Sequence, residues 1–473
     1  MKIYDIAVIG SGIGGSLFAA LNRTKHDLIL FEKDRNVGGC ASTFERYGGY
    51  YNSGATTFVG YEEGHLIGQM FKRIGFTPEL RRSEVGVRVI QEEKTVDRVK
   101  DFDTFLAMVD REYPNPFNRM FWETIREIDR KFWELKHIYY AKHSIGGYIK
   151  TLRAMAELLS VYRWDLLMSA ERFIRQTLGE IDAAYQNFID AQLLITLQTT
   201  SKELSLLAMA LGLSYTFHDT FYAKGGMGRL IEGLLEDVLV KRQEAILSIE
   251  PLPNGHYELI STKGTYYAKK VVLNSTVYDS GNLFKNPKIQ AYYNRFSFSD
   301  QSAFVVYLRL QGEEKFLHHY QLIQQQYLPF SISNAIFVSF SDSEDQRLSE
   351  GGYSVTISTH TRATIWQNLS KEAYKAQKKE LQEHIIEAFL HYFDTIKAKD
   401  ISRAFSATSK TFHRYIGRYN CGGEAFKLKN LLSMPSCRTP FEGLYHVGDT
   451  VFAGQGWPGV ALGVDILDKE ING

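Results

Sequence analysis

Residues 4–34, YDIAVIGSGIGGSLFAALNRTKHDLILFEKD, leave this chain few ways to fold. Residues 6–9 form a short apolar run fit for a buried parallel strand. Gly10, Gly12 and Gly15 follow as GxGxxG, and the next seven residues carry helical apolar spacing. A second apolar run, residues 28–31, ends at Glu32, 20 residues beyond Gly12. Gly10 suits the tight turn out of the strand, Gly12 the close approach of a pyrophosphate, and Gly15 close packing of helix on strand. The helix opening, with Ile13 and Gly14, offers free N–H groups to phosphate. Glu32 suits the ribose hydroxyls. A glycine triplet between strand and helix, with an acid closing the next strand, points to a bound dinucleotide.

The residues that follow bear on which dinucleotide. Gly38 and Gly39 lie six and seven positions past the acid, in KDRNVGGCASTF. This resembles the extended FAD fingerprint of glutathione-reductase-type flavoproteins, where paired glycines open a loop along the diphosphate and ribityl chain. An NAD site needs no such extension, and no second strand–GxGxxG–helix unit occurs. The resemblance places Lys33, Ala41, Ser42 and Thr43 beside the cofactor, and Gly54, Ala55 and Thr56 near the isoalloxazine ring.

From about Phe76 the pattern changes, and residues 121–143 and 148–188 are glycine-poor and helical in apolar spacing. Arg153, Tyr162, Arg163, Trp164, Arg172 and Arg175 resemble the anchors of an interfacial helix, with solvated cations on a packed helix as the alternative. Nucleotide-domain grammar returns at GGMGRL, residues 225–230. Ile246 falls in a short strand, Asn254-Gly255 and Lys263-Gly264 read as turns, and VVLN ends at Asn274. The fold expected is α/β. A glutathione-reductase-type FAD-binding Rossmann domain, drawn from residues 1–75, 221–280 and 411–473, is interleaved with a mixed α+β substrate domain from 76–220 and 281–410.

Composition excludes several functions. Lys plus Arg number 55 against 54 Asp plus Glu, so no basic excess supports nucleic-acid binding. Cys40, Cys421 and Cys437 form no CxxC pair, which argues against a zinc site or disulfide framework, and no metal is expected. The longest apolar stretch outside the opening segment, residues 204–217, falls short of the roughly 18–20 residues that span a bilayer. A cytoplasmic protein is expected, with peripheral contact at the inner membrane face left open.

The tail, GLYHVGDTVFAGQGWPGVALG, puts six glycines into 21 residues. With the opening fingerprint and YAKGGMGRLIEGL, it resembles the phytoene desaturase and carotenoid isomerase family of FAD oxidoreductases, which includes the retinol saturases. The likeness is looser at SATSKTFHRYIGRYNCGGEAF, where the family often has Thr-Pro and this chain has Thr408-Ser409. The resemblance implies that Gly448 and Asp449 end a strand, with Asp449 on the ribityl chain. It implies that Gly456 and Trp457 meet the ring, that Pro458 opens a helix, and that Gly459 and Val460 direct N–H groups at the flavin. Ile246 and Asn274 complete the implied cofactor set.

The implied activity is hydride exchange between FAD and a long, apolar, polyunsaturated isoprenoid, by desaturation, isomerisation or saturation. Quinone and oxygen are the candidate electron acceptors. His413, Arg414 and Tyr415 are the candidates for catalysis, against an ordinary structural role, and no base is assigned. His65 and the pair His318–His319 read as structural, and Cys40 is not expected to attach flavin. Two alternatives remain: an amine-oxidase-like flavoenzyme on a smaller substrate, and a non-catalytic isoprenoid-binding escort.

Overall fold

The computed structural model describes residues 2–163, 165, 168–297, 300–312, 314–350, 352–423, 427 and 433–473. Its first sheet is built around the opening strand, Ile3–Ile9, which lies between Leu28–Glu32 and Thr265–Leu273 and runs parallel to both. Val240–Arg242 adds a parallel strand outside Leu28–Glu32. On the other side Thr265–Leu273 continues into an antiparallel meander with Tyr257–Ser261 and Ile246–Pro251, turning at residues 252–256 and 262–264. Leu444–His446, near the end of the chain, pairs in parallel with the last three residues of Thr265–Leu273. The central strands are buried on both faces, which accounts for their unbroken apolar runs.

Helices Ile13–Asn22 and Gly456–Asn472 pack together and bury Leu17, Phe18, Val464 and Leu467. On the other face of the sheet, Phe284, Ile289, Tyr292 and Tyr293 pack against Ile29, Val271 and Leu444. Tyr293 and His446 are hydrogen-bonded at 2.8 Å. Residues 284–293, assigned above to the substrate domain, therefore join the core of the nucleotide-binding sheet.

The second sheet runs in the order Ile401–Ala407, Gln301–Leu310, Tyr353–Arg362, Ala335–Phe340, His319–Ile323, Val85–Gln91 and Lys94–Val99. One face is covered by the long helix Lys371–Tyr392, through Leu381, Ile385 and Phe389. Helices between residues 102 and 214 form a separate core with Val87, Val89 and Phe337. The two stretches with helical spacing, residues 121–143 and 148–188, carry the helices Asn118–Trp133, Ile145–Tyr162, Ala170–Leu178 and Ala183–Leu197. Residues 80–99 form three strands, in which Val87 and Val89 point inward at period two.

A small sheet of Phe58–Val59, Thr220–Ala223 and Leu80–Ser83 ties the two large sheets together. The glycines of GGMG serve this junction. A Cβ at Gly228 would come within 2.6 Å of the Thr43 backbone N, and the Gly228 N–H donates to Thr43 Oγ1 at 2.9 Å. The apolar residues 204–217 form the helix Leu206–Ser214 and a short 3-10 turn. Among the described residues no helix is long and apolar enough to cross a membrane.

Candidate active site

One cavity of about 1540 Å³ runs between the two sheets. This exceeds the roughly 300–1,000 Å³ of a single small-ligand pocket, so it has room for a dinucleotide and a second molecule. At one end it is lined by Glu32, Lys33 and Ile246, then by Gly12, Ile13 and Gly14 at the start of the first helix. It continues past Gly38, Gly39, Ala41 and Ser42, then Gly54, Ala55 and Thr56. From the tail it receives Gly448, Asp449, Gly456, Trp457, Gly459 and Val460.

The glycines of the three segments meet around one side chain. Asn274 leaves the end of Thr265–Leu273, and its Nδ2 donates to the Gly10 carbonyl at 3.4 Å. A Cβ at Gly12 would lie 2.6 Å from Asn274 Nδ2, and one at Gly14 would lie 2.8 Å from its Oδ1. A Cβ at Gly448 would meet the same oxygen at 2.9 Å. Gly12 therefore packs closely on Asn274 as well as lining the cavity. Gly15 faces away from the cavity, and any Cβ there would overlap the Gly10 carbonyl, as its expected packing role requires.

Several other expected site residues are placed differently. Glu32 is buried and accepts from Ser11 N (2.9 Å), Ser11 Oγ (2.6 Å) and Asp34 N (2.9 Å), so it also holds the glycine loop in shape. Thr43 points away from the cavity into the Gly228 junction. The Asp449 carboxylate, expected on the ribityl chain, accepts from Arg418 Nη1 at 2.8 and 3.1 Å. Burial works against the charge on Arg418, but Asp449 outweighs it and holds the guanidinium as a cation.

The final helix runs Gly456–Asn472, so Pro458 is its third residue, not its first. Val460 falls inside the helix's own hydrogen-bond ladder by position, which leaves Gly456 and Trp457 as the leading N–H groups. Of the three catalytic candidates, only Tyr415 lines the cavity. His413 stacks on Tyr419 at 3.9 Å, and Arg414 lies over the Tyr415 ring. His319 is buried and His318 half-buried, and desolvation lowers the pKa of both imidazoles. The stretch at 424–426 of the looser motif lies outside the described residues.

Two buried donors on the cavity wall, Arg418 Nη2 and Trp457 Nε1, have no partner among the described residues. An acceptor-rich ring system would satisfy them.

The family described as flavin containing amine oxidoreductase matches residues 19–450. The chain belongs to that family. Its cofactor is FAD, and the glycine-lined cavity with its unpaired donors fits that group. Among relatives of this flavoprotein, prolycopene isomerase (chloroplastic) of Arabidopsis thaliana is 23% identical over 98% of this chain and 81% of its own length. The corresponding protein of Daucus carota is 24% identical over 97% and 78%. These relatives accord with the resemblance to carotenoid isomerases.

Solved structures share the fold across the whole chain. An oxidoreductase from Methanosarcina mazei superposes with a TM-score of 0.63 at 19% identity, covering 98% of this chain and all of its own. A fatty acid isomerase from P. acnes that produces CLA superposes at 0.60 and 12%, covering 99% of each chain. Cyclohexylamine oxidase of Brevibacterium oxydans superposes at 0.61 and 15%, covering 99% of this chain and 98% of its own.

Beyond the glycine-lined part, the flavoprotein's cavity opens into an apolar arm lined by Trp133, Leu135, Ile138, Leu158, Leu207 and Leu211. One wall of this arm carries charges that sequence reasoning missed. His218 sits between Glu62 (2.8 Å) and Asp129 (2.6 Å), and His65 lies 5.4 Å away, with its ring 4.5 Å from Trp133. Burial opposes a proton on His218, but the hydrogen bonds to Asp129 and Glu62 prevail and raise its pKa to about 10. Burial lowers His65 to about 4. Glu62, Asp129 and His218 come from separate elements with no common motif, so no spacing in the chain announces them.

Two outcomes are expected. Glu32→Ala removes three hydrogen bonds to a carboxylate and should weaken FAD binding by about 1.5–3 kcal/mol, read by titrating the apoprotein. An unchanged dissociation constant would remove Glu32 from the site. His218→Ala leaves two carboxylates facing each other and should cost about 3–5 kcal/mol in urea unfolding at pH 7. Because the folded pKa is raised, His218 contributes fully below its ordinary 6.5, and that contribution is lost as pH rises to about 10. The alkaline loss of stability over that window should vanish in the variant.

Proposed function

We propose that the protein is an FAD-dependent enzyme acting on a long, apolar, polyunsaturated isoprenoid, with double-bond isomerisation of a carotenoid-type polyene as its reaction. The observation that carries this reading is the apolar arm continuous with the cofactor cavity. A hydrocarbon chain offers almost no hydrogen-bonding groups, so it is held by burial, at about 25 cal/mol per Å² of apolar surface. The prolycopene isomerases among the relatives favour isomerisation over desaturation and saturation.

FAD supplies reversible hydride exchange at an allylic carbon. In this reading Glu32, Lys33 and Ile246 hold the adenosine end. Gly12, Ile13 and Gly14 hold the diphosphate. Gly54 to Thr56, with Gly448, Gly456 and Trp457, flank the ring. Arg418 and Trp457 donate the hydrogen bonds their buried nitrogens otherwise lack. The apolar arm excludes water and aligns the polyene. Isomerisation leaves no net electrons to discard; net desaturation would pass them to a quinone or oxygen.

The test is to incubate the flavoprotein, with its flavin oxidised and then reduced, with cis-configured polyenes and separate the products by chromatography. Conversion between geometric isomers of one mass is expected. Hydrogen peroxide released from amines, with every polyene unchanged, would replace this reading with that of an amine oxidase.

We further propose that the protein works at the inner face of a membrane, docking through the helix Ile145–Tyr162. One side of this helix lines the cavity with Thr151, Ala154 and Leu158. The other presents Ile145, Tyr148, Ile149 and Leu152 to solvent, with Ile145 82% exposed. This spacing makes a continuous apolar stripe beside the cavity, and Arg153 stands next to it. Tyr162, one of the anchors expected above, is buried instead and donates to the Ile128 carbonyl at 2.6 Å. Trp164 lies outside the described residues. Ile149→Asp with Leu152→Asp should abolish co-sedimentation with anionic vesicles while leaving bound FAD in place. Sedimentation equal to the unaltered protein would end the docking proposal.

A further inference from the structure

The wall of the apolar arm turns polar where His65, Asp129 and His218 line the cavity beside Trp133. His218 spends both ring nitrogens on carboxylates, at 2.8 Å from Glu62 and 2.6 Å from Asp129. Asp129 takes a second donor from Trp133 Nε1 at 3.2 Å, and Glu62 one from the Asp219 N–H at 2.5 Å. His65 stands outside these bonds. Only 8% of it is exposed, and neither ring nitrogen has a hydrogen-bond partner among the described residues. Nδ1 is enclosed beside Gly60, where a Cβ would lie 2.9 Å from it, so Nε2 is the nitrogen left to face the cavity.

We propose that His65 and Asp129 bind a hydroxyl group on the chain held in this arm, so that the preferred ligand is a long isoprenoid alcohol and not the bare hydrocarbon. This rests on the assignment of the arm to an apolar isoprenoid made above. The His65 ring lies 4.5 Å from the Trp133 ring and 5.4 Å from that of His218, and Asp129 is hydrogen-bonded to both of those residues. His65 and Asp129 therefore belong to one patch of the wall.

A hydroxyl both gives a proton and accepts one, which is what this patch asks of a ligand. Burial lowers the His65 pKa to about 4, so at neutral pH the ring is uncharged. With its proton on Nε2, His65 donates to the hydroxyl oxygen. The hydroxyl in turn donates to the Asp129 carboxylate, whose oxygens keep lone pairs beyond the bonds from Trp133 and His218. Charge selects against other head groups. Two carboxylates around one imidazolium leave the cluster with a net negative charge, which repels a carboxylate. An ammonium must shed its water to enter an apolar arm, at a far larger cost than a hydroxyl. A bare hydrocarbon leaves the His65 nitrogen covered and unpaired.

The test measures binding to the purified flavoprotein by equilibrium dialysis in detergent, with geranylgeraniol and with phytane, a hydrocarbon of the same carbon skeleton. Each ligand is compared between the unaltered protein and His65→Phe, so that differences in solubility between ligands cancel. His65→Phe should weaken geranylgeraniol about tenfold, the scale of one hydrogen bond to an otherwise unpaired buried group, with phytane and bound FAD unchanged. Geranylgeraniol held equally by both proteins, or both ligands weakened alike, would overturn the proposal. Should the variant fail to fold, the unaltered protein carries the test alone. The methyl ether of geranylgeraniol lacks the proton for Asp129 and should bind more weakly than the alcohol; equal or tighter binding of the ether would overturn the proposal. Geranylgeranoic acid or geranylgeranylamine bound more tightly than the alcohol would do the same. Geranylgeraniol bound as expected while no polyene is isomerised would end the proposed reaction and leave this site standing. If neither geranylgeraniol nor phytane binds, the arm does not hold an isoprenoid and the site falls with it.

Discussion

The carboxamide of Asn274 is the point on which the glycines of the cofactor cradle pack. It stands where three stretches of glycine backbone converge, and Gly12, Gly14 and Gly448 each lack a side chain where one would strike it. Buried backbone in such contact must be both close-packed and hydrogen-bonded, and an amide side chain supplies volume, a donor and an acceptor at one point. The adenosine end, the ring end and the first helix take their relative positions from this convergence. Remote parts follow from it: Glu32 fixes the loop at Ser11, and Arg418 fixes Asp449 beside Gly448.

Much of the nucleotide-binding half was legible in the sequence because its constraints are local. A strand, a glycine turn, a helix and a closing acid lie within about thirty residues, and each residue type answers a backbone requirement. Most of the expected cofactor residues line one cavity, with Gly15 and Thr43 turned into the protein instead. What spacing could not show was division of labour. Glu32 already has three protein donors, and Asp449 already has a guanidinium. Arg418 and Asp449 are 31 positions apart, and the Glu32 donors Ser11 and Asp34 lie within the fingerprint, but glycine spacing carries no record of either contact.

The other half was less legible for a related reason. The Val85–Gln91 strand sits between two other short strands, and its partner His319–Ile323 is more than 200 residues away. The Glu62–His218–Asp129 cluster is assembled from three unrelated positions. Such a buried ion group is retained only with full hydrogen bonding, which here comes from the fold as a whole. Its place beside Trp133 puts charged groups next to apolar side chains of the cavity.

The strand Thr265–Leu273 pairs with the opening strand along one edge and with Leu444–His446 along the other. This has a consequence for biosynthesis. A ribosome has made more than half of the chain before the opening strand meets its inner neighbour, and nearly all of it before the sheet is complete. Until then the opening strand carries an apolar edge able to pair with other chains. Contacts of such long sequence separation form slowly. The same topology that shares one cofactor site among three segments therefore makes the newborn protein a natural client for chaperones.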